Sequence, residues 1–345
     1  MSAQLDQLDR LLLDEVQRSV PLVPRPFAQL ALSLGVDEAE VIARVSGLSG
    51  PGGVIREIAG IFDAAALGCA TTLVAARCAP GQIDDAGRIV AAHPGVSHCY
   101  GRDGQLNLWF TLSVPPESSL GLSATIDRLG EMIGAESIFS LPAVRRYKLD
   151  VRFNMSGGGR PGATADAATG APAARLEEAP SPEQVRAIRA LQVPLAAVAK
   201  PFADLAAGAG FSADDLLVHA ADFLSAGWMR RYSAVLRHRL AGARANVLVA
   251  WQVPVEGADA FARHAARLAA VSHCYLRAAQ PDWPYNLYTM VHGRDRDEVA
   301  GAIASIAAAG GDCPRVELPT AAEYKKARLK LFSPELARWE RQVAR

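Results

Sequence analysis

The sequence has no surplus charge of either sign. Its 345 residues carry 36 Lys or Arg and 36 Asp or Glu, a formal net charge of zero. A dedicated nucleic-acid binder normally shows a basic excess, so this balance argues against that class. Cysteine is scarce: five residues (Cys69, Cys78, Cys99, Cys274, Cys313) with no C-x-x-C pair. An odd number without paired spacing argues against a disulfide framework or a zinc site and predicts free thiols in a reducing, cytoplasmic setting. No apolar run reaches the roughly 20 residues a membrane-spanning helix needs. The start, Met1 to Arg10, is polar and acidic, unlike a secretory signal. What remains is a chain half hydrophobic and about a fifth charged, long enough for more than one core.

What the sequence does have is an internal repeat. Pro26-Phe27-Ala28-Gln29-Leu30-Ala31 matches Pro201-Phe202-Ala203-Asp204-Leu205-Ala206 at an offset of 175 residues. Val96-Ser97-His98-Cys99-Tyr100 recurs unchanged as Val271-Ser272-His273-Cys274-Tyr275 at the same offset. Asn107-Leu108-Trp109-Phe110 then matches Asn286-Leu287-Tyr288-Thr289, and Leu141-Pro142 and Tyr147-Lys148 match Leu318-Pro319 and Tyr324-Lys325. Between the copies, 156–180 is rich in Gly, Ala and Pro, the composition of a flexible linker. Two copies joined in this way predict a pseudo-dimer.

Each copy divides in two. Leu5, Leu8, Leu11 and Leu12 have helical spacing, a proline-rich break follows, and Phe27 to Leu34 resumes it. Asp37, with Glu40 three residues on, reads as the N-cap of a third helix through Val41 and Val45. Val54 to Ile58 reads as a wing. The second half reads as strand (Thr71–Ala76), helix (Ile83–Ala92), strand (Val96–Tyr100), strand (Asn107–Val114), helix (Ile126–Ile133) and strand (Ser137–Leu141), the βαββαβ ferredoxin-like order. The expected fold class is therefore α+β, two tandem copies of a winged helix-turn-helix plus a ferredoxin-like domain. The expected domains are 1–66 and 67–155 for copy one, the linker 156–180, 181–241 and 242–333 for copy two, and a C-terminal tail at 334–345.

The helix-turn-helix does not look built for DNA. The third helix carries Asp37, Glu38 and Glu40 against Arg44, and residues 1–62 hold five Arg or Lys against eight Asp or Glu. Its counterpart carries Asp214, Asp215 and Asp222, with His219 as the one cation it could offer. Such a face repels phosphate.

His93-Pro94-Gly95-Val96-Ser97-His98-Cys99-Tyr100 followed by Asn107-Leu108-Trp109-Phe110-Thr111 resembles the sirohaem (siroheme) decarboxylase family, relatives of the leucine-responsive, Lrp/AsnC-like regulators. The resemblance runs through both copies, and the fusion resembles the form serving d1-type haem biosynthesis. It implies a carboxy-lyase that removes two acetate carboxylates of sirohaem to give 12,18-didecarboxysirohaem. It implies no cofactor beyond the iron the substrate carries, no nucleic-acid or membrane partner, and a homodimer or contacts with other proteins of d1-type haem biosynthesis. Copy two departs from the pattern: Leu268-Ala269-Ala270 replaces His93-Pro94-Gly95, and Asn-Leu-Tyr-Thr replaces Asn-Leu-Trp-Phe.

A flat iron macrocycle rimmed with carboxylates needs an apolar floor and cations at its edge. On this reading the substrate-binding residues are Arg102 and Arg277, then Arg145, Arg146, Lys148 and Arg152 in copy one and Lys325, Lys326 and Arg328 in copy two. Trp109 and Tyr288 are the stacking aromatics. On a strand, His98 and Tyr100 share one face and Cys99 takes the other, and His273 and Tyr275 do the same. These four are the catalytic candidates, with His as general acid and Tyr orienting it or sharing the proton. Axial ligation of the substrate iron by His98 or His273 is the alternative role. His93 reads as a turn former, while His264 and His292, lacking counterparts, read as structural. The competing function is a haem- or tetrapyrrole-binding, or small-molecule-responsive, transcriptional regulator, which would call for basic recognition helices.

Overall fold

The computed structural model describes residues 5–50, 52–149, 179–237, 245–310 and 313–343. Arg152 and residues 156–178 of the expected linker lie outside them. In chain order, copy one forms α1 (Gln7–Arg18), α2 (Pro26–Leu34), α3 (Glu38–Ser49) and β1 (Ile55–Phe62). It continues with β2 (Ala70–Arg77), α4 (Ile83–Ala92), β3 (Val96–Arg102), β4 (Leu108–Val114), α5 (Gly121–Met132) and β5 (Ser137–Leu149). Copy two repeats the order as α6 (Pro182–Leu191), α7 (Pro201–Ala209), α8 (Ala213–Ser225) and β6 (Met229–Leu236). Then come β7 (Ala245–Trp251), α9 (Val255–Arg267), β8 (Val271–Arg277), β9 (Leu287–Gly293), α10 (Arg296–Gly310), β10 (Arg315–Lys326) and α11 (Pro334–Val343).

The described residues gather into two units, each drawing one part from each copy: 5–63 with 179–237, and 64–149 with 245–343. The first unit holds the two helix-turn-helix segments. Pro26 and Pro201 open α2 and α7, where a missing N–H costs nothing. Gly35 and Gly210 close the same helices at φ 68° and 76°, a left-handed conformation that suits glycine. Asp37 stands at the N-cap of α3 as expected, yet its side chain makes no capping bond, and Glu40 is instead paired with Arg44. Ser212 and Asp215 do form the reciprocal box on α8. The expected wings are single strands, β1 and β6, which pair antiparallel with each other (Ile58 opposite Ala234, Gly60 opposite Tyr232).

The second unit is a closed eight-stranded barrel in the order β10-β3-β4-β2-β5-β8-β9-β7. Its closure explains the repeated Leu-Pro. β5 pairs with β2 through Pro142, then with β8 from Ala143 onward. β10 pairs with β7 through Pro319, then with β3 from Thr320. Each proline sits where the strand changes partner and no ladder N–H is required. The last strand of each copy is therefore much longer than expected, because its second half is completed by the other copy.

Alternation along the strands sorts side chains to two faces. Val74, Ala76, Cys99 and Phe110 pack outward with α4 and α5 residues such as Val90 and Leu129. Val249, Trp251, Cys274 and Leu287 pack with α9 and α10 residues such as Phe261 and Ile303. The inner faces meet in a third cluster, with Ala75, Trp109 and Leu141 from copy one and Leu248, Ala250, Tyr288 and Leu318 from copy two. Gly87 on α4 permits a close crossing: a Cβ there would come within 2.4 Å of the Tyr324 ring. Residues 334–343 correct the expected tail, since they form α11. Leu336 is buried, Trp339 meets His93 edge-on at 4.2 Å, and Glu340 accepts hydrogen bonds from the Ser118 hydroxyl and the Ser119 N–H and hydroxyl. A ten-residue helix with three anchoring side chains is too short to show as apolar periodicity.

Candidate active site

β3 and β8 position the repeated pentapeptide. The Cys99 thiol donates to the Gly87 carbonyl of α4, and the Cys274 thiol to the Ala262 carbonyl of α9. This fixes the cysteine side as outer, so His98, Tyr100 and Arg102, and likewise His273, Tyr275 and Arg277, face the barrel interior. Burial pushes both thiols up to about 12, which rules them out as thiolates at neutral pH. The rings of His98 and Tyr100 lie 6.2 Å apart, those of His273 and Tyr275 6.4 Å. Next along each strand, the Arg102 guanidinium sits 5.2 Å from the Tyr100 ring, and that of Arg277 4.9 Å from Tyr275 and 5.7 Å from Tyr288.

Both arginines reach across to the other copy's strand. Arg102 Nη1 donates to the Leu318 carbonyl at 2.7 Å and the Thr320 hydroxyl at 3.2 Å; Arg277 Nη1 donates to the Leu141 carbonyl. The Nε of each is buried with no hydrogen-bond partner among the described residues. Burial brings Arg102 down to about 10 and shifts Arg277 the same way. An unsatisfied buried donor costs about 1–3 kcal/mol. A ligand carboxylate would satisfy the donor and compensate the charge at once.

The two halves of the interior are not copies of one another in detail. Opposite Tyr275 stands Arg146; opposite Tyr100 stands Glu323, with Lys326 opposite His98. Ser97 Oγ lies 3.0 Å from His98 Nδ1 and 2.7 Å from Thr111 Oγ1. Ser272 Oγ lies 2.7 Å from His273 Nδ1, but its other close neighbour is His292 Nε2, also at 2.7 Å. Burial, with the charges of Lys326 and Arg102, brings His292 down to about 4, so it is neutral at neutral pH.

The structure brings together His98, Tyr100, Arg102, His273, Tyr275, Arg277, Arg146 and Lys326 on the inner face. It corrects the rim expectation for Arg145, Lys148 and Lys325. Bulges in β5 and β10 turn these outward: Arg145 pairs with Asp259 of α9 at 2.6 Å, Lys148 Nζ donates to the Leu268 carbonyl, and Lys325 Nζ to the His93 carbonyl. Arg328 is half-buried just past the end of β10. Trp109 and Tyr288, 1% and 2% exposed, are interior filling 6.5 Å apart, not open platforms for stacking. His93 shapes its turn as expected, its Nδ1 accepting the Gly95 N–H, and His264 Nε2 lies 3.3 Å from the Ser305 carbonyl. His292 is the functional candidate that the repeat comparison passed over. Period-two alternation through Tyr288, Met290 and His292 was the signal that places it on the inner face.

Fold and site together define a duplicated, Lrp/AsnC-like ligand-binding barrel whose interior is furnished with paired His, Tyr and Arg. The profile of the AsnC-like ligand binding domain matches residues 66–148 and 240–325, and that of the siroheme decarboxylase NirDL-like HTH domain matches residues 9–56. The chain is 32% identical over 329 residues to a siroheme decarboxylase of Hydrogenobacter thermophilus, covering 95% of this chain and 96% of that one. It is 33% identical over 303 residues to the siroheme decarboxylase NirDL subunit of Paracoccus denitrificans, covering 87% and 89%. A crystal structure of the siroheme decarboxylase NirDL in complex with an iron-uroporphyrin III analogue superposes with a TM-score of 0.76 at 28% identity, over 98% of this chain and 99% of that one. This chain belongs to the siroheme decarboxylase family.

Proposed function

We propose that the chain is a carboxy-lyase acting on sirohaem, removing two acetate carboxylates to give 12,18-didecarboxysirohaem on the route to d1-type haem. The observation that carries this reading is the pair of inward-facing His-Tyr-Arg triplets, each arginine buried with an Nε that has no hydrogen-bond partner among the described residues. Arg102 and Arg277, with Arg146 and Lys326, bind the carboxylates of the macrocycle, and the Trp109–Tyr288 cluster backs the site with apolar surface. His98, Tyr100, His273 and Tyr275 are the acid–base groups.

The chemistry needs a proton and no electrons. A histidine protonates the electron-rich ring, which becomes an electron sink. The bond from methylene to carboxylate breaks, its electron pair enters the ring as an exocyclic double bond, and carbon dioxide leaves. The added proton then moves to the methylene carbon, so each acetate becomes a methyl for one proton taken up. The iron arrives with the substrate, and the scheme calls for no further cofactor.

The acidic helix-turn-helix supports enzyme over regulator. Arg44, the base of α3, is held by Asp6, Asp9 and Glu40, and those carboxylates raise its pKa further. No helix among the described residues is long and apolar enough to cross a membrane. The test is an anaerobic incubation of the purified chain with sirohaem, read by mass spectrometry. Loss of two carbon dioxide masses is expected. Binding without any change of mass would instead favour a tetrapyrrole sensor.

A further inference from the structure

The proposed chemistry treats the two pentapeptides alike, but the atoms behind the two histidines differ. Ser272 Oγ has one hydrogen and three acceptors or donors around it: His273 Nδ1 and His292 Nε2, both at 2.7 Å, and the Met290 carbonyl at 3.4 Å. The carbonyl is the poorest of these contacts. With the single hydrogen directed to one ring, the other ring must donate its own N–H to Ser272 Oγ. Copy one has no such second ring. There Ser97 contacts Thr111 Oγ1, which also accepts the His98 backbone N–H at 3.2 Å.

The relay can run in either of two directions. His292 has Nε2 committed to Ser272, and burial with the positive charges of Lys326 on β10 and Arg102 on β3 keeps its ring neutral. Of the two directions, the one with the His292 proton on Nε2 leaves His273 Nδ1 as acceptor, which is the arrangement a proton donor at His273 Nε2 requires. We propose that His292 is a positioning residue for the decarboxylation: its Nε2–H donates to Ser272, Ser272 donates to His273 Nδ1, and His273 is thereby held with its proton on Nε2. This inference rests on the decarboxylase reading and deepens it. It gives copy two a histidine behind the serine where copy one has a threonine, in the way an outer hydrogen bond selects the tautomer of a working imidazole. His292 itself is not the proton store.

The test compares the wild-type chain with His292→Phe and His292→Gln. Phenylalanine keeps the ring volume and removes both nitrogens; glutamine keeps an N–H donor at about the position of Nε2. Nitrogen-15 imidazole spectra of the substrate-free protein should show His273 with its proton on Nε2 in the wild type and in His292→Gln. In His292→Phe the two tautomers should be mixed. With sirohaem, His292→Phe should lose about tenfold in kcat with KM unchanged, and His292→Gln should recover most of it. A wild-type His273 protonated on Nδ1, or a His292→Phe chain with unchanged tautomer and unchanged kcat, would overturn the proposal. Equal loss in both variants would also overturn it, since that would be a structural effect. A wild-type chain that releases no carbon dioxide from sirohaem would sink the functional reading instead, and the substrate-free spectra keep the two failures apart.

Discussion

The two copies share a pentapeptide, a barrel and a closing strand, and differ in what stands behind and opposite the shared residues. Tyr275 of copy two faces Arg146, which copy one's β5 supplies, and His273 is backed by a serine–histidine pair. Tyr100 and His98 of copy one face Glu323 and Lys326, which copy two's β10 supplies, and His98 is backed by a serine–threonine pair. Copy one alone is covered by α11, with His93 buried against Trp339. Duplication has thus kept the groups that could touch a substrate and diverged in the groups that tune them. For a substrate rimmed by carboxylates, a half-site facing Arg146 and one facing Glu323 with Lys326 are not interchangeable, and on the proposal above the larger share of the acid–base work falls to His273.

The largest effect expected from breaking this comparison is at the histidines. His273→Ala should cost about a hundredfold in kcat with sirohaem affinity retained, as loss of a general acid does. His98→Ala should cost less. Single-turnover rates and absorbance titrations measure both. A variant that loses the low-spin spectrum of bound iron and keeps its turnover would have its histidine reassigned to iron ligation. Next in size, Arg146→Glu sets a glutamate across from Tyr275, as there is across from Tyr100, and should weaken sirohaem binding by about tenfold. Glu323→Arg should move affinity the other way.

A third prediction uses the cover on copy one. Burial, together with the charge of Lys325, lowers His93 from 6.5 to about 4, so folding favours its neutral ring. As pH falls below 6.5 the unfolded chain takes up this proton first. The stability is fully present above pH 6.5 and is lost progressively down to about pH 4, by about 3 kcal/mol for a shift of this size. His93→Asn, which keeps an acceptor for the Gly95 N–H and does not titrate, should flatten the slope of denaturation midpoint against pH over that range. An unchanged slope would contradict the burial of a neutral ring. The smallest effect belongs to Arg145→Ala. The Arg145–Asp259 pair is exposed on the outer face, so sirohaem binding and turnover should be unaltered and the melting temperature nearly so.

The duplication, the order of elements and the shared face of His98 with Tyr100 and of His273 with Tyr275 were legible in the sequence, because period-two alternation and a repeated motif are local signals; that this face points inward depends on the closed barrel. The second halves of β5 and β10 were not. Arg145 to Lys148 read as a basic end of a domain because the strand completing that stretch belongs to the other copy, roughly 130 residues away along the chain. For the same reason Arg145 and Arg146 could not be told apart: a bulge decides which of them turns inward. Trp109 and Tyr288 were legible as strand aromatics, but that they fill the interior depends on the two inner faces meeting. His292 was set aside because it has no counterpart in copy one, and divergence between copies is where asymmetric roles arise.

The most direct test of the central claim is an anaerobic single turnover of sirohaem in D2O, with wild type, His273→Ala and His98→Ala compared by mass spectrometry. Two losses of carbon dioxide are expected in the wild type, with one solvent deuteron at each new methyl carbon. His273→Ala is expected to stall while His98→Ala proceeds. New methyl groups without deuterium, or a chain that stalls without His98 and turns over without His273, would contradict the claim.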